Sequence, residues 1–274
     1  MTPPARSTSA LDLARVERAL HEPVEPDKEA VLGEESLQTG HEATVVGITV
    51  ADVVSGNALV NGEIRRVVHP ELRRLGFVDF TERKAWRRHQ HGIVAVVDFT
   101  AVGGYAAPLV GCTAFSFGVI LGVRHPACES GLGSTPGRMA RPDPSACTFQ
   151  VTLGKRLRQP RAFHPLGRVT PSGRSDCWAV QAEPESVEVA VRDALGTLLT
   201  TGLPLLDQLV SPEGAWQALL TWKPSSPRHG TPGLMPPGAP GSPRWREVVH
   251  AQASQLGQDP EQALQHAPAL ATAK

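Results

Sequence analysis

The chain has few of the residues and motifs that usually announce a chemistry. Its 274 residues hold four cysteines, Cys112, Cys128, Cys147 and Cys177, and no two form a CxxC pair, so structural zinc has no signature. Aromatics make up only 5% of the chain and include a single tyrosine, which leaves no series of exposed rings for stacking on bases. The motifs GxSxG, HExxH, a P-loop and a strand-following GxGxxG are all missing, so the familiar hydrolase, metalloprotease and nucleotide-binding readings have no anchor. The opening thirty residues lack the apolar core of roughly 7–15 residues that a signal peptide requires. Without such a signal, disulfides are not expected, the thiols read as small buried or half-buried side chains, and the cytoplasm is the default compartment. Net charge is also lacking. Twenty-seven basic side chains balance 27 acidic ones at a pI of 7.2, which is low for a nucleic-acid module.

What is present is a globular share of hydrophobic residues, 41%, alongside 26 glycines and 25 prolines. The glycine and proline content is well above the usual combined usage of about 12%, which assigns part of the chain to tail or linker. Charge divides the chain as well. Residues 1–58 carry four basic against ten acidic side chains, and the remainder carries the opposite excess. That stretch, with one short candidate helix at Leu11–Leu20 and a β-capable run at 43–50, reads as an acidic, weakly ordered arm. Residues 59–222 read as the folded domain, long enough to bury close to 70% of its unfolded surface. KPSSPRHGTPGLMPPGAPGSP, residues 223–243, has seven prolines and four glycines and reads as a linker. Its PxxP spacings suit SH3-like readers, although an unread linker is favoured. Residues 244–274 read as a polar helical tail. No internal repeat is visible.

Within the domain, periodicity predicts the elements. Ile64, Val67, Val68, Leu72 and Leu75 follow helical spacing between a candidate N-cap at Asn61 and a terminating Gly76, with a kink expected near Val68–His69 because of Pro70. Strands are predicted at Lys84–His89, Ile93–Thr100, Ala114–Val123, Thr148–Lys155 and, more briefly, Cys177–Gln181. Alternation puts Ile93, Ala95, Val97 and Phe99 on one face, matched by Phe115, Phe117, Val119, Leu121 and Val123 and by Phe149, Val151 and Leu153. Ala114, Ser116, Gly118 and Gly122 fall on the opposite face, which leaves room for a helix to approach closely. Phe99–Val123 lacks charge for 25 residues, but its glycines and its alternation favour strands over a membrane span. A helix from Pro184 to Gly202 and another after Ser211-Pro212-Glu213 close the domain. The predicted class is α+β, an antiparallel sheet of four to five strands with flanking helices and one face packed.

The order of these elements carries a resemblance. RRVVHPELRRLGFVDFTERKAWRRHQHGIVAVVDFT is a helix ending in an LGF turn, then a strand with aromatic and basic residues, then an apolar strand. It resembles the opening of the bacterial domain of unknown function 4304 family. AFSFGVILGV is similar to that family's glycine-bearing strand, CTFQVTLGKRL with Arg168 and Trp178 to its arginine-then-tryptophan region, and EVAVRDALGTLLTTGLPLLDQL to its closing helix. The resemblance spans about residues 60–222. This chain departs from the family in the long segment 124–147 and in having Cys177-Trp178 at a double-aromatic position. The resemblance implies an α+β domain with no agreed activity, and an interaction role like that of proteins encoded near toxin–immunity loci.

Candidate site residues are few. Lys155, Arg156, Arg158, Arg161, Arg168 and Arg174 lie in residues 155–174 with no acid among them, and Trp178 follows. Arg65, Arg66, Arg73, Arg74, Arg83, Lys84, Arg87 and Arg88 form a second basic group. Converging cations can hold phosphates or steer an acidic protein. His89 and His91 have metal-capable spacing, but Gly92 suggests a turn and no third ligand offers itself. Cys147 or Cys177 with His164 can be drawn as nucleophile and base, although spacing says nothing of geometry. No catalytic residue, metal or cofactor is assigned. The sequence favours a non-catalytic interaction domain with an acidic protein partner at Arg156, Arg158, Arg161, Arg168, Arg174 and Trp178. A nucleic-acid-associated basic domain is the alternative, and an enzyme of unknown class the lesser one.

Overall fold

Two prolines shape the longest helical runs. The computed structural model describes residues 50–126, 140–157, 174–222, 225–235 and 237–267, all within a compact unit, Gly47–Lys274. Helix α1, Val50–Glu63, passes through a π-type turn at Ile64–Val68 into α2, His69–Arg74. Pro70 lacks an N–H and its ring crowds the carbonyl one turn back. The wider turn relieves that clash, and the His69 amide donates to the carbonyl of Ile64, five residues earlier. The same arrangement recurs before Pro204. Helix α4, Pro184–Thr197, runs through a π-type turn at Leu198–Gly202 into α5, Leu203–Val210, with the Leu203 amide donating to Leu198.

The expected kink is therefore a widened turn, and the expected N-cap is corrected. Asn61 lies inside α1, where its amide donates to Glu82 and its carbonyl oxygen accepts from Arg83. Gly76 does end α2 as expected, at φ +86°, with Gly76 N–H on Arg73 and Phe77 N–H on Leu72.

The sheet is antiparallel, as alternation predicts, and its class is α+β. Strands β1 (Asp79–Phe80), β2 (Lys84–Arg88), β3 (Val94–Ala101), β4 (Phe117–Arg124), β5 (Phe149–Thr152) and β6 (Gly233–Met235) stand side by side in sequence order. Between β3 and β4 runs a short helix, α3, Gly103–Val110. The register pairs Val97 with Leu121 and Phe99 with Val119, and Leu121 in turn with Val151. Cys177–Gln181 is not a strand; only Trp178 bridges to Phe117.

The face predicted to be apolar is the core face, where Ala95, Val97, Phe99, Phe117, Val119, Leu121, Phe149 and Val151 are buried with Val187, Val191 and Leu198 of the helical cover. The helical run 184–210 is long and apolar enough to span a bilayer, yet its buried stripe packs on this sheet. The opposite face is not bare, a departure from one-sided packing. Trp86, Val94 and Val96 are buried there against Cys147, and the Trp86 indole donates to Pro142. A Cβ on Gly122 would fall 2.6 Å from Cys147 Sγ, just after the short helical turn Pro144–Ala146, and one on Gly118 3.0 Å from the Asp176 carbonyl, beside the cavity that α3 borders.

The C-terminal segment is helical as read, but it and part of the supposed linker pack into the domain. Gly233–Met235 is the sixth strand, paired with Gln150–Thr152 of β5. Helix α6, Pro212–Thr221, is capped by Ser211 as expected, but α7, Pro243–Leu256, then packs on it. Trp245, Val248 and Val249 are fully buried in the main core, and the Trp245 indole donates to Leu219. Helix α8, Pro260–His266, follows, with Leu264 and Ala267 in the same core. Residues 1–49 of the acidic arm lie outside the described residues, and 50–58, read as part of that arm, belong to α1, so the folded unit begins earlier than residue 59.

His125, at the end of β4, gives this fold a pH response. Its ring is fully buried, Nε2 donates to Leu209 at 2.7 Å, and Nδ1 has no partner among the described residues. Burial therefore holds its pKa below the ordinary value, only partly opposed by the Leu209 bond. His69 and His89 are shifted the same way, by burial and then by neighbouring arginines. The unfolded chain takes up these protons first as the pH falls. The stabilisation is thus complete above about pH 6.5 and is lost below it, each such group adding a slope of up to about 1.4 kcal/mol per pH unit. His125→Gln keeps a donor for Leu209 and removes the titration. Thermal melts at pH 7 and pH 5 should show a smaller fall for the variant; equal falls would remove His125 from this account.

Candidate functional site

Among the described residues, most of the basic side chains are taken up by carboxylate, amide or ring partners. Arg66 pairs with Glu63 and Glu188, Arg74 with Glu71, Arg88 with Asp79, and Arg87 with Asp207. Lys84 is held between Asp98 and Asp143. Arg83 is turned inward to Asn57 and Asn61, and burial lowers its pKa. Arg73 and Arg87 lie over the rings of Phe80 and Phe77. Of the histidine pair, His89 accepts from Arg87 at 3.0 Å, and His91 sits in a turn at φ +57°, as Gly92 suggested. No cluster able to hold a metal is present among the described residues.

Arg158, Arg161 and Arg168, with His164 and Cys128, lie outside the described residues. Of the other three predicted residues, the structure joins Arg156 and Trp178 through Asp193 and leaves Arg174 on Asp176. Trp178 is not a surface anchor. It is fully buried and stacks on Phe117 with ring centroids 5.9 Å apart. Its indole donates to Asp193 at 2.7 Å, and the same carboxylate accepts from the Arg156 amide at 3.2 Å. The exposed Arg156 guanidinium donates to Thr200. Arg174 makes a two-pronged contact with Asp176 at 2.8 and 2.6 Å, and this bond raises its pKa. Burial works to raise the Asp176 pKa, but the Arg174 hydrogen bond and charge outweigh it and hold the carboxyl below its usual range.

Beside this cluster lies an arrangement the sequence did not disclose. Lys155 is fully buried, and burial lowers its pKa against the pull of Cys177, Asp176, Asp193 and Cys112. Cys112 follows the left-handed Gly111 that ends α3 and is half-buried; Cys177 is buried. The two segments are clamped: Phe117 and Trp178 exchange backbone hydrogen bonds, Thr113 Oγ1 donates to Val180, and the Val180 amide donates to Ser116 Oγ. The clamp runs beside both cysteines. The Cys177 thiol, with Ser116, Arg174 and Lys155 and against burial, lowers the Cys112 pKa to about 7. The Cys112 thiol and then burial push the Cys177 thiol up.

A cavity of about 220 Å³ adjoins the pair, between Thr100, Thr152, Arg174 and Cys177 on one side and Ala106 and Val110 of α3 on the other. The outer side of α3 is apolar and open. Tyr105 is 90% exposed and Leu109 55%, with Pro108 exposed between them. The one sequence signal for this surface was a lone tyrosine inside a long uncharged stretch. Comparisons with family models, with curated proteins and with solved structures give no match to this chain.

Proposed function

We propose that the chain is a non-catalytic protein-interaction domain that takes an acidic, partly apolar partner across α3. The observation that carries this reading is the exposure of Tyr105, Pro108 and Leu109 on one uncharged helix. Single exposed apolar residues are ordinary, but adjacent ones including an aromatic supply the anchor around which protein contacts are built. Arg174 stands at the cavity beneath the same helix but is already paired with Asp176, so the apolar residues of α3 carry the contact. The resemblance to the 4304 family points in the same direction, toward an immunity-like contact. The nucleic-acid reading is weaker, because Arg66, Arg74, Lys84, Arg87 and Arg88 already have carboxylate partners and are not free to replace counterions on phosphates.

Tyr105→Glu combined with Leu109→Glu tests this reading against Val189→Glu, which alters an exposed residue on α4. All three forms should melt alike. A partner captured by the native chain, identified and purified, should bind the double variant at least about tenfold more weakly, a loss of about 1.4 kcal/mol, and bind the Val189 variant unchanged. Equal binding to the double variant would overturn the assignment of the surface. Nucleic-acid binding tighter than about 1 μM at physiological salt would overturn the class, since non-specific affinities are usually about 10⁻⁴–10⁻⁶ M there.

A further inference from the structure

The second face of the sheet is only partly covered. Trp86, Val94 and Val96 are packed against Cys147, but farther along the strands the same face borders the cavity of about 220 Å³. The register puts Thr100 opposite Gly118 and Ile120 opposite Thr152, so three strands build the cavity floor. Ala106 and Val110 of α3 form an apolar wall, and Arg174 and Asp176 supply the charged groups. Gly118 lets that charged segment come close. A Cβ there would fall 3.0 Å from the Asp176 carbonyl, so the segment lies directly on the floor.

We propose that this cavity is a binding site for a small uncharged molecule that carries an amide or lactam group on a compact apolar body. The site lies on the inner side of α3 and does not depend on the partner surface proposed for the outer side. Size sets the first limit on the ligand. A cavity of about 150 Å³ takes one benzene ring, so one of about 220 Å³ takes about eight or nine heavy atoms. That is smaller than the sites of roughly 300–1,000 Å³ that hold drug-sized ligands.

Charge sets the second limit. Arg174 Nε donates to Asp176 Oδ1 at 2.8 Å and Nη2 to Oδ2 at 2.6 Å, so the two ions neutralise each other. A carboxylate ligand is repelled by Asp176 and an ammonium by Arg174, and either must break the two-pronged contact to gain a counterion. A neutral ligand keeps it. Arg174 Nη1 is left to donate, and each Asp176 oxygen retains a lone pair to accept. An amide meets both at once, its carbonyl accepting one hydrogen bond and its N–H donating another. The Thr100 and Thr152 hydroxyls can serve either role. The apolar body fits against Ile120, Ala106 and Val110, the usual division of a pocket into apolar lining and a few orienting polar groups.

The test titrates the full, isotope-labelled chain with ε-caprolactam, cyclohexanecarboxylate and cyclohexylammonium, probes of similar size and different charge, and follows the amide resonances by NMR. The lactam should shift the amides of Thr100, Ile120 and Thr152 in a saturable way, with a dissociation constant of about 10 mM or tighter for so few atoms. The carboxylate and the ammonium should bind at least about tenfold more weakly. Ala106→Phe, which fills the cavity from α3, should melt like the native chain and lose the lactam. Arg174→Met leaves the Asp176 carboxylate without its counterion and should bind the ammonium at least about tenfold tighter than the native chain does. A site that had merely lost its shape would show no such reversal. Carboxylate binding as tight as that of the lactam would overturn the proposal. So would shifts confined to residues away from the cavity, or no saturation by about 50 mM lactam. The native-chain titrations need no variant, so misfolding of either variant does not decide the outcome. Failure here leaves the test of the outer α3 surface standing.

Discussion

Phe117→Asp abolishes the cooperative unfolding transition. Phe117 has no exposed surface, stacks on Trp178 and lies 5.9 Å from the Phe99 ring. Its backbone exchanges hydrogen bonds with Trp178 and pairs with Ala101 of β3, so the side chain cannot swing to solvent without opening the sheet. Loss of a buried phenylalanine costs about 3–5 kcal/mol, and an unpaired carboxylate in its place adds several more. Against a typical stability of about 5–15 kcal/mol that sum leaves little or nothing. Circular dichroism on heating should show a sloping baseline without a transition, while Phe117→Leu retains a lowered one. A native-like melt of the Asp variant would mean that Phe117 does not sit between the sheet and Trp178.

A chain stopped after Trp222 loses its fold as well. It keeps every element the periodicity of the sequence identifies within 59–222 but lacks β6 and α7. Trp245, Val248 and Val249 are each fully buried, and at about 1.5–3 kcal/mol per buried side chain their loss amounts to roughly 5–9 kcal/mol. The stop also uncovers Ala218 and Leu219, and the second edge of β5. The expected result is an aggregating product, whereas a chain stopped after Ala267 melts like the native one. Trp245→Ala gives a graded version, with a loss of about 3–5 kcal/mol in urea titration. A soluble, cooperatively melting 1–222 chain would restore the linker-and-tail reading.

The reasons that reading failed are local. Alternation over eight residues is a strong signal, and it placed Val97, Phe99, Val119 and Leu121 on the correct face. A three-residue strand such as Gly233–Met235 has no period to detect. Its glycines and prolines, taken as marks of a linker, serve close approach instead. A Cβ on Gly154 would fall 1.8 Å from the Arg228 carbonyl, and one on Gly233 2.5 Å from Pro227 N, so both glycines let the 225–235 segment lie directly on the end of β5. Ser225 and Leu234 then close a small hairpin, and Ser175 Oγ donates to Pro227. Trp245, Val248 and Val249 stand at i, i+3 and i+4, but so short a stripe among charged neighbours, just after the proline-rich stretch, reads equally as a surface helix.

The candidate site was legible only in its charges. Arg156 and Trp178 share Asp193, yet Trp178 is stacked in the core, while Arg174 stands apart at the cavity on Asp176. Sequence composition cannot tell these apart. The clamp between 113–117 and 178–180 was invisible for a different reason. It joins a loop and an irregular segment through Thr113, Ser116 and Val180, and neither has a repeat that predicts a partner.

The sheet order has a consequence for the chain as it is being synthesised. Strands β1 to β4 can zip together within a stretch of about fifty residues, but β5 acquires its second neighbour only when Gly233–Met235 appears, some eighty residues after Thr152. At about 5–20 residues per second, that edge stays unpaired for roughly 4–16 s on the ribosome. During this interval Gln150 and Thr152 present free amides and carbonyls beside an apolar surface that α7 has yet to cover. The nascent chain is thus most vulnerable late, with most of its helices already made, and its window of risk closes only when Trp245 leaves the exit tunnel.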